Sequence, residues 1–229
     1  MAMTVAEKIE LEEELIQMAG GFLDEGKING DSAQVYRSAS GVIDGHFRMG
    51  LLFWRIKQDP RDHFTKSVLL AQETTSLLAS MKEVYIGKAL FDPDVRVYLA
   101  YLVGLPHPPV DLSKMDENVM ARAFFGNVLI GAADIVEWPK YRDALPQGKR
   151  YDLARRTNEL YADLLAGRIT PEVGVPLAEE LWVERKNNTY YDTRGGGFGD
   201  SNDHLVNYVL GAILKKIGST VPTVHAWVW

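Results

Sequence analysis

The strongest constraint on this chain is its repeated helix punctuation. Five times, a residue able to cap a helix stands directly before apolar residues at helical spacing. Thr4-Val5-Ala6-Glu7 reads as a capping box, in which the hydroxyl and the carboxylate each bond a free backbone N–H. Behind it, Ile9, Leu15, Ile16, Ala19, Phe22 and Leu23 recur with a helical period, and Gly20-Gly21 is expected to bend or end the helix. Residues 26–30 read as a turn. Asp31 caps a second helix to about residue 57, with Val35, Ala39, Val42, Ile43, Phe47, Leu51, Leu52 and Phe53 inward. Asp59-Pro60 and Asp92-Pro93 repeat one device: the acid caps, and proline at the first helical position loses no needed N–H. Thr170-Pro171-Glu172 starts another helix, reaching about residue 187.

The breaks are as legible as the starts. Three prolines among residues 106–109 cannot continue a helix. Residues 116 to about 137 then read as one long apolar helix ended by Trp138-Pro139, and residues 150–167 as the next. Residues 188–200 are a polar, Gly-rich loop. Asp200 or Asp203 caps a last helix to Lys216, stopped by Gly218. The tail, residues 221–229, alternates with a strand period and is expected as a short extended segment. The fold class is therefore all-α: eight to nine helices as stacked antiparallel helical hairpins. We read one helical domain, with halves 1–105 and 111–229 meeting at the Pro-rich break.

Charge is distributed unevenly along this frame. The chain holds 25 Lys+Arg and 31 Asp+Glu, a net charge of −6. Residues 1–31 contain eight acids and two bases, so they account for the whole excess, and the remainder is neutral. A general nucleic-acid binder carries a basic excess, and this chain has none. No window is apolar for long enough to span a membrane. The first residues lead straight into a charged helical pattern rather than a basic stretch and an apolar run, so a cytosolic protein is expected. Cysteine is absent, which excludes a disulfide scaffold, a thiol nucleophile and an iron–sulfur cluster.

Catalytic signatures are weak. Gly195-Gly196-Gly197-Phe198-Gly199 lets backbone amides approach a phosphate, but a phosphate loop wants a preceding strand and a Lys-Ser/Thr pair. Asp200, Ser201, Asn202, Asp203 and His204 gather oxygen and imidazole ligands, yet the Gly and distant Glu of a calcium loop are missing. These are also the preferred helix caps. None of the five histidines, His46, His63, His107, His204 and His225, forms an i, i+4 pair. A small enzyme or a metal- or phosphate-binding protein built around residues 194–204, with Asp200, Asp203 and His204 as ligands, is the alternative reading. No cofactor is expected.

Two stretches read as binding surface. Glu10, Glu13 and Glu14 extend the acidic run beyond the first helical turn, where Asp/Glu would merely complement the helix dipole. Such a patch steers a basic partner. Trp182, Tyr190, Tyr191 and Phe198 surround Arg185, Lys186 and Arg194, and aromatics with arginine are the residue types enriched at binding hot spots. Self-association through the 221–229 tail is a further expectation.

The helix rhythm resembles that of helical immunity proteins of bacterial polymorphic-toxin systems. The likeness is carried by Gly50-Leu51-Leu52-Phe53-Trp54-Arg55-Ile56 before Asp59-Pro60, by Val97-Tyr98-Leu99-Ala100-Tyr101-Leu102-Val103-Gly104-Leu105, and by the last helix from Asp203 to Leu214. It implies a cytosolic, non-enzymatic protein that binds a cognate toxin domain, and it carries no catalytic residues.

Overall fold

The computed structural model describes residues 4–81, 92–143, 148–187, 207–224 and 226. Among them are nine α-helices, two short 3-10 turns and no strand. The chain divides into two compact units, residues 1–103 and 104–229, at the Pro-rich break.

The first unit holds α1 (Val5–Asn29), α2 (Ser32–Arg55), α3 (Arg61–Ser80) and α4 (Pro93–Val103). The capping box forms: the Thr4 hydroxyl accepts from Glu7 N–H, and the Glu7 carboxylate accepts from Thr4 N–H at 2.6 Å. α1 does not end at Gly20-Gly21, nor is there a turn from residue 26. It runs on to Asn29 and stops at Gly30, whose left-handed φ of 67° closes the last carbonyls. The helix continues because Leu23 and Gly26 are buried against α2. A Cβ on Gly26 would stand 3.1 Å from Val35 N, closer than side-chain carbons ordinarily come, so glycine eases the close approach of the hairpin. Tertiary packing here outweighs the low helix propensity of glycine.

Asp31 caps α2 through Ala33 and Gln34 N–H at 3.0 and 2.9 Å. α3 begins one residue later than the proline pattern predicts. Asp59 still accepts from Arg61 N–H at 3.0 Å, while Pro60 occupies the cap position with no side-chain bond of its own. The core of the unit sits at the α2–α3 seam, where Ile43, Leu51, Leu52, Phe64 and Val68 are fully buried and the Ser67 hydroxyl donates to Ile43 O.

The second unit holds α5 (Glu117–Leu129), α6 (Trp138–Asp143), α7 (Lys149–Leu165), α8 (Pro171–Asn187) and α9 (Tyr208–Ile217). The single long helix expected from residue 116 to 137 is in fact broken. α5 ends at Leu129, Gly131 turns with a φ of 76°, and a 3-10 turn at Ile135–Glu137 leads into α6. Trp138-Pro139 starts a helix rather than ending one. The apolar periodicity survives the break because Trp138 folds back onto Phe125, ring centroids 4.7 Å apart. Asn127 fixes the entry segment: it accepts from Val110 N–H at 2.8 Å and donates to Val110 O at 2.9 Å, all buried.

The last helix is capped by Asn207, which accepts from Leu210 N–H at 3.0 Å. Asp200 and Asp203 lie outside the described residues. Gly218 ends the helix as expected. In the tail, residues 219–224 are non-helical and pair with no described strand.

Candidate functional site

The exposed surface of α1 carries the segregated charge. Four of its acids are held locally. Glu7 serves the capping box, Glu12 accepts from Arg48 Nε at 2.7 Å, Asp24 pairs with Lys27, and Glu25 accepts from Gln34 Nε2 at 3.3 Å. Glu10, Glu13 and Glu14 are exposed and make no hydrogen bond or ion pair with any described residue. Their charges are thus uncompensated at short range. The Glu13 charge acts weakly on His63 of α3, raising its pKa against the larger effect of burial.

Beside the acids lies an apolar row, two of whose residues, Leu15 and Phe22, belong by sequence period to the core pattern. Ile16, Ala19 and Leu23 face α2, and a Cβ on Gly45 would approach Ile16 Cγ1 to 2.5 Å. Leu15 and Phe22 do not join them. With Leu11 and Met18 they form a second row, exposed by 42% (Leu11), 37% (Leu15), 56% (Met18) and 51% (Phe22). Spacings of four, three and four residues keep such a row within an arc of about 60°. The sequence signal for it was available in the heptad spacing, but two apolar faces on one helix blur into a single pattern.

A second cluster has no sequence signature. His46 on α2 and His63 in the first turn of α3 bring their Nδ1 atoms to 3.1 Å, a distance at which one neutral ring donates to the other. Phe53 packs on the His63 ring at 4.8 Å. Burial, then the neighbouring His63 and Lys66, lower the His46 pKa to about 4, against a weaker opposing pull from Asp62. Burial and Lys66 also lower His63, opposed by Asp62 and Glu13. Both shifts favour the neutral rings, the form in which one Nδ1 can donate to the other. Among the described residues no three His, Asp or Glu side chains gather as a metal-ligand set.

In the second unit, α7 and α8 border an open groove of about 690 Å³. Leu160, Leu177 and Leu181 form its apolar lining, with Asp152, Glu159, Asp163, Glu180 and Glu184 outnumbering Arg155 and Arg156. Arg156 Nη1 donates to both Glu184 oxygens at 3.1 Å. These pairs are solvent-exposed and contribute little to stability.

Of the expected binding residues, Trp182 lies on α8 in the core of the second unit, only 9% exposed. Arg185 is on α8. Tyr190, Tyr191, Arg194 and Phe198 lie outside the described residues, as do Asp200, Asp203 and His204. The structure thus leaves α1 as the described surface on which expected binding residues stand together. No helix among the described residues is long and apolar enough to cross a membrane. No family model, curated protein or solved structure matches the chain.

Proposed function

We propose that this chain is a non-enzymatic protein-binding protein whose partner presents a basic surface, and specifically an immunity protein that neutralises a cognate bacterial toxin domain. The observation that supports this reading is the set of unpaired carboxylates Glu10, Glu13 and Glu14 on exposed α1, in a chain whose net negative charge comes entirely from residues 1–31. Side chains that neither cap the helix nor pair with a neighbour add little to folding. They do add a local negative potential, which accelerates encounter with a positive partner and weakens with salt.

The test is the triple charge reversal Glu10→Lys, Glu13→Lys and Glu14→Lys, in cells that express a basic toxin domain encoded beside this gene. Association in vitro is expected to slow by tenfold or more at low salt, with the melting temperature moving by about 2 °C or less. Protection of growth is expected to fall with it. An unchanged association rate removes α1 from the account. Absence of any protection by the native chain removes the immunity reading.

A further inference from the structure

The unpaired carboxylates do not stand on an otherwise polar helix. The row Leu11, Leu15, Met18 and Phe22 runs parallel to the α1–α2 seam, turned from it by roughly 100° about the helix axis. At its C-terminal end, Gln34 Nε2 of α2 donates to Phe22 O at 3.0 Å and to Glu25 Oε2 at 3.3 Å. On the side away from the α1–α2 seam, Glu7, Glu14 and Glu25 fall within about 60° of the row; Glu7 is engaged in the capping box and Glu25 by Gln34, and Glu14 makes no side-chain bond with a described residue. Exposing four large apolar side chains in line serves no purpose in folding, because the exposed atoms gain nothing from desolvation in the monomer. Spacing of four, three and four is the geometry of a seam that receives a second helix.

Charge identifies the occupant. A helix laid in this seam places its own flanking positions against the carboxylate edge, where acidic residues are repelled and cationic residues are attracted. A second copy of the chain fits poorly, since it brings the same eight acids and two bases of residues 1–31. We propose that Leu11, Leu15, Met18 and Phe22 form the docking seam for a basic amphipathic helix of the partner, laid along α1 with its lysine or arginine edge against Glu7, Glu14 and Glu25. This rests on the protein-binding reading above and adds the form and chemistry of the bound element.

The probe is a fluorescein-labelled helical peptide of about 24 residues, with leucine at a and d and lysine at e and g; its counterpart has glutamate at e and g. Anisotropy titrations use the full chain, the variant Leu15→Ser/Met18→Ser, and the variant Glu14→Lys/Glu25→Lys, with circular dichroism confirming that each is folded. The lysine peptide is expected to bind the native chain at least tenfold more tightly than the glutamate peptide. The serine variant is expected to lose at least tenfold in affinity, and the charge variant to lose the preference for lysine. Equal binding of the lysine peptide to the native chain and the serine variant overturns the seam. Loss in the serine variant with no effect of charge overturns the basic occupant; the reading of Glu10, Glu13 and Glu14 as a steering patch then stands or falls on their own charge reversal. Sedimentation that shows the native chain as a dimer and the serine variant as a monomer overturns the proposal in favour of a second copy.

Discussion

At the scale of single residues, the His46–His63 contact is where structure adds most to sequence. The two are 17 positions apart, on different helices, and no spacing rule links them. Only the packing of α2 on α3, seen also in the Phe47–Phe64 ring contact and the Ser67 hydroxyl donating to Ile43 O, brings the rings to hydrogen-bond distance. The pair makes stability depend on pH in a definite direction. Above about pH 6.5 His46 is neutral in both the folded and the unfolded chain. As pH falls below that, the unfolded chain takes up a proton that the folded ring refuses until about pH 4. Stability contributed by the neutral ring is therefore present above pH 6.5 and lost between there and about 4. Solvent screening at a partly buried ring reduces the effect well below its nominal size, and a loss of about 1 kcal/mol is expected. Urea unfolding at pH 7 and pH 4.5 should show a smaller difference for His46→Gln than for the native chain. Equal differences would mean that the ring titrates as an exposed histidine does. The groups that set this environment are His63, Lys66 and Asp62, with Glu13 of α1 acting on His63.

At the scale of elements, the starts marked at Thr4, Asp31, Asp59-Pro60, Asp92-Pro93 and Thr170-Pro171 were legible, while the starts at Trp138 and after Asn207, and helix continuity, were not. Caps are local: Thr4 with Glu7, Asp31 and Asp59 act on N–H groups two or three residues away, so sequence alone locates them. Whether a glycine ends a helix depends on what packs around it. Gly20 and Gly21 have no atom within 4 Å of an added Cβ, and α1 passes through both. Gly50 on α2 is the opposite case, because its Cβ would come within 2.4 Å of the Phe64 ring. The same substitution therefore has opposite signs at the two sites. Gly20→Ala is expected to stabilise by about 0.5–1 kcal/mol, through helix propensity and unfolded-chain entropy. Gly50→Ala is expected to destabilise by about 1–3 kcal/mol, because a rigid buried ring cannot yield without strain. Chemical denaturation of both variants checks the pair, and a Gly50→Ala protein as stable as the native chain would mean that the seam is looser than described. The broken α5–α6 segment follows the same logic. Phe124, Phe125 and Trp138 keep an apolar period across the turn at Gly131, so the pattern reads as one helix although the backbone reverses.

At the scale of the whole molecule, the chain consists of two compact helical units joined at residues 103–104, and its net charge is carried by α1 of the first together with Asp31, the cap of α2. The helical class was legible because capping and periodicity agree along the chain. The proposed docking surface was half legible. Of its carboxylates only Glu14 is among the binding residues read from the sequence, and its apolar row stands apart only once α2 claims the neighbouring face of α1. That division makes α1 a helix with two apolar faces and one acidic edge, one face spent on folding and the other left open. The most direct test of this account is a map of where the lysine peptide binds, by amide and methyl chemical-shift changes across the full chain. Perturbations confined to α1, strongest at the methyl groups of Leu11, Leu15 and Met18, are the expected result. Perturbations centred on the α7–α8 groove, or none at a saturating peptide concentration, would contradict it.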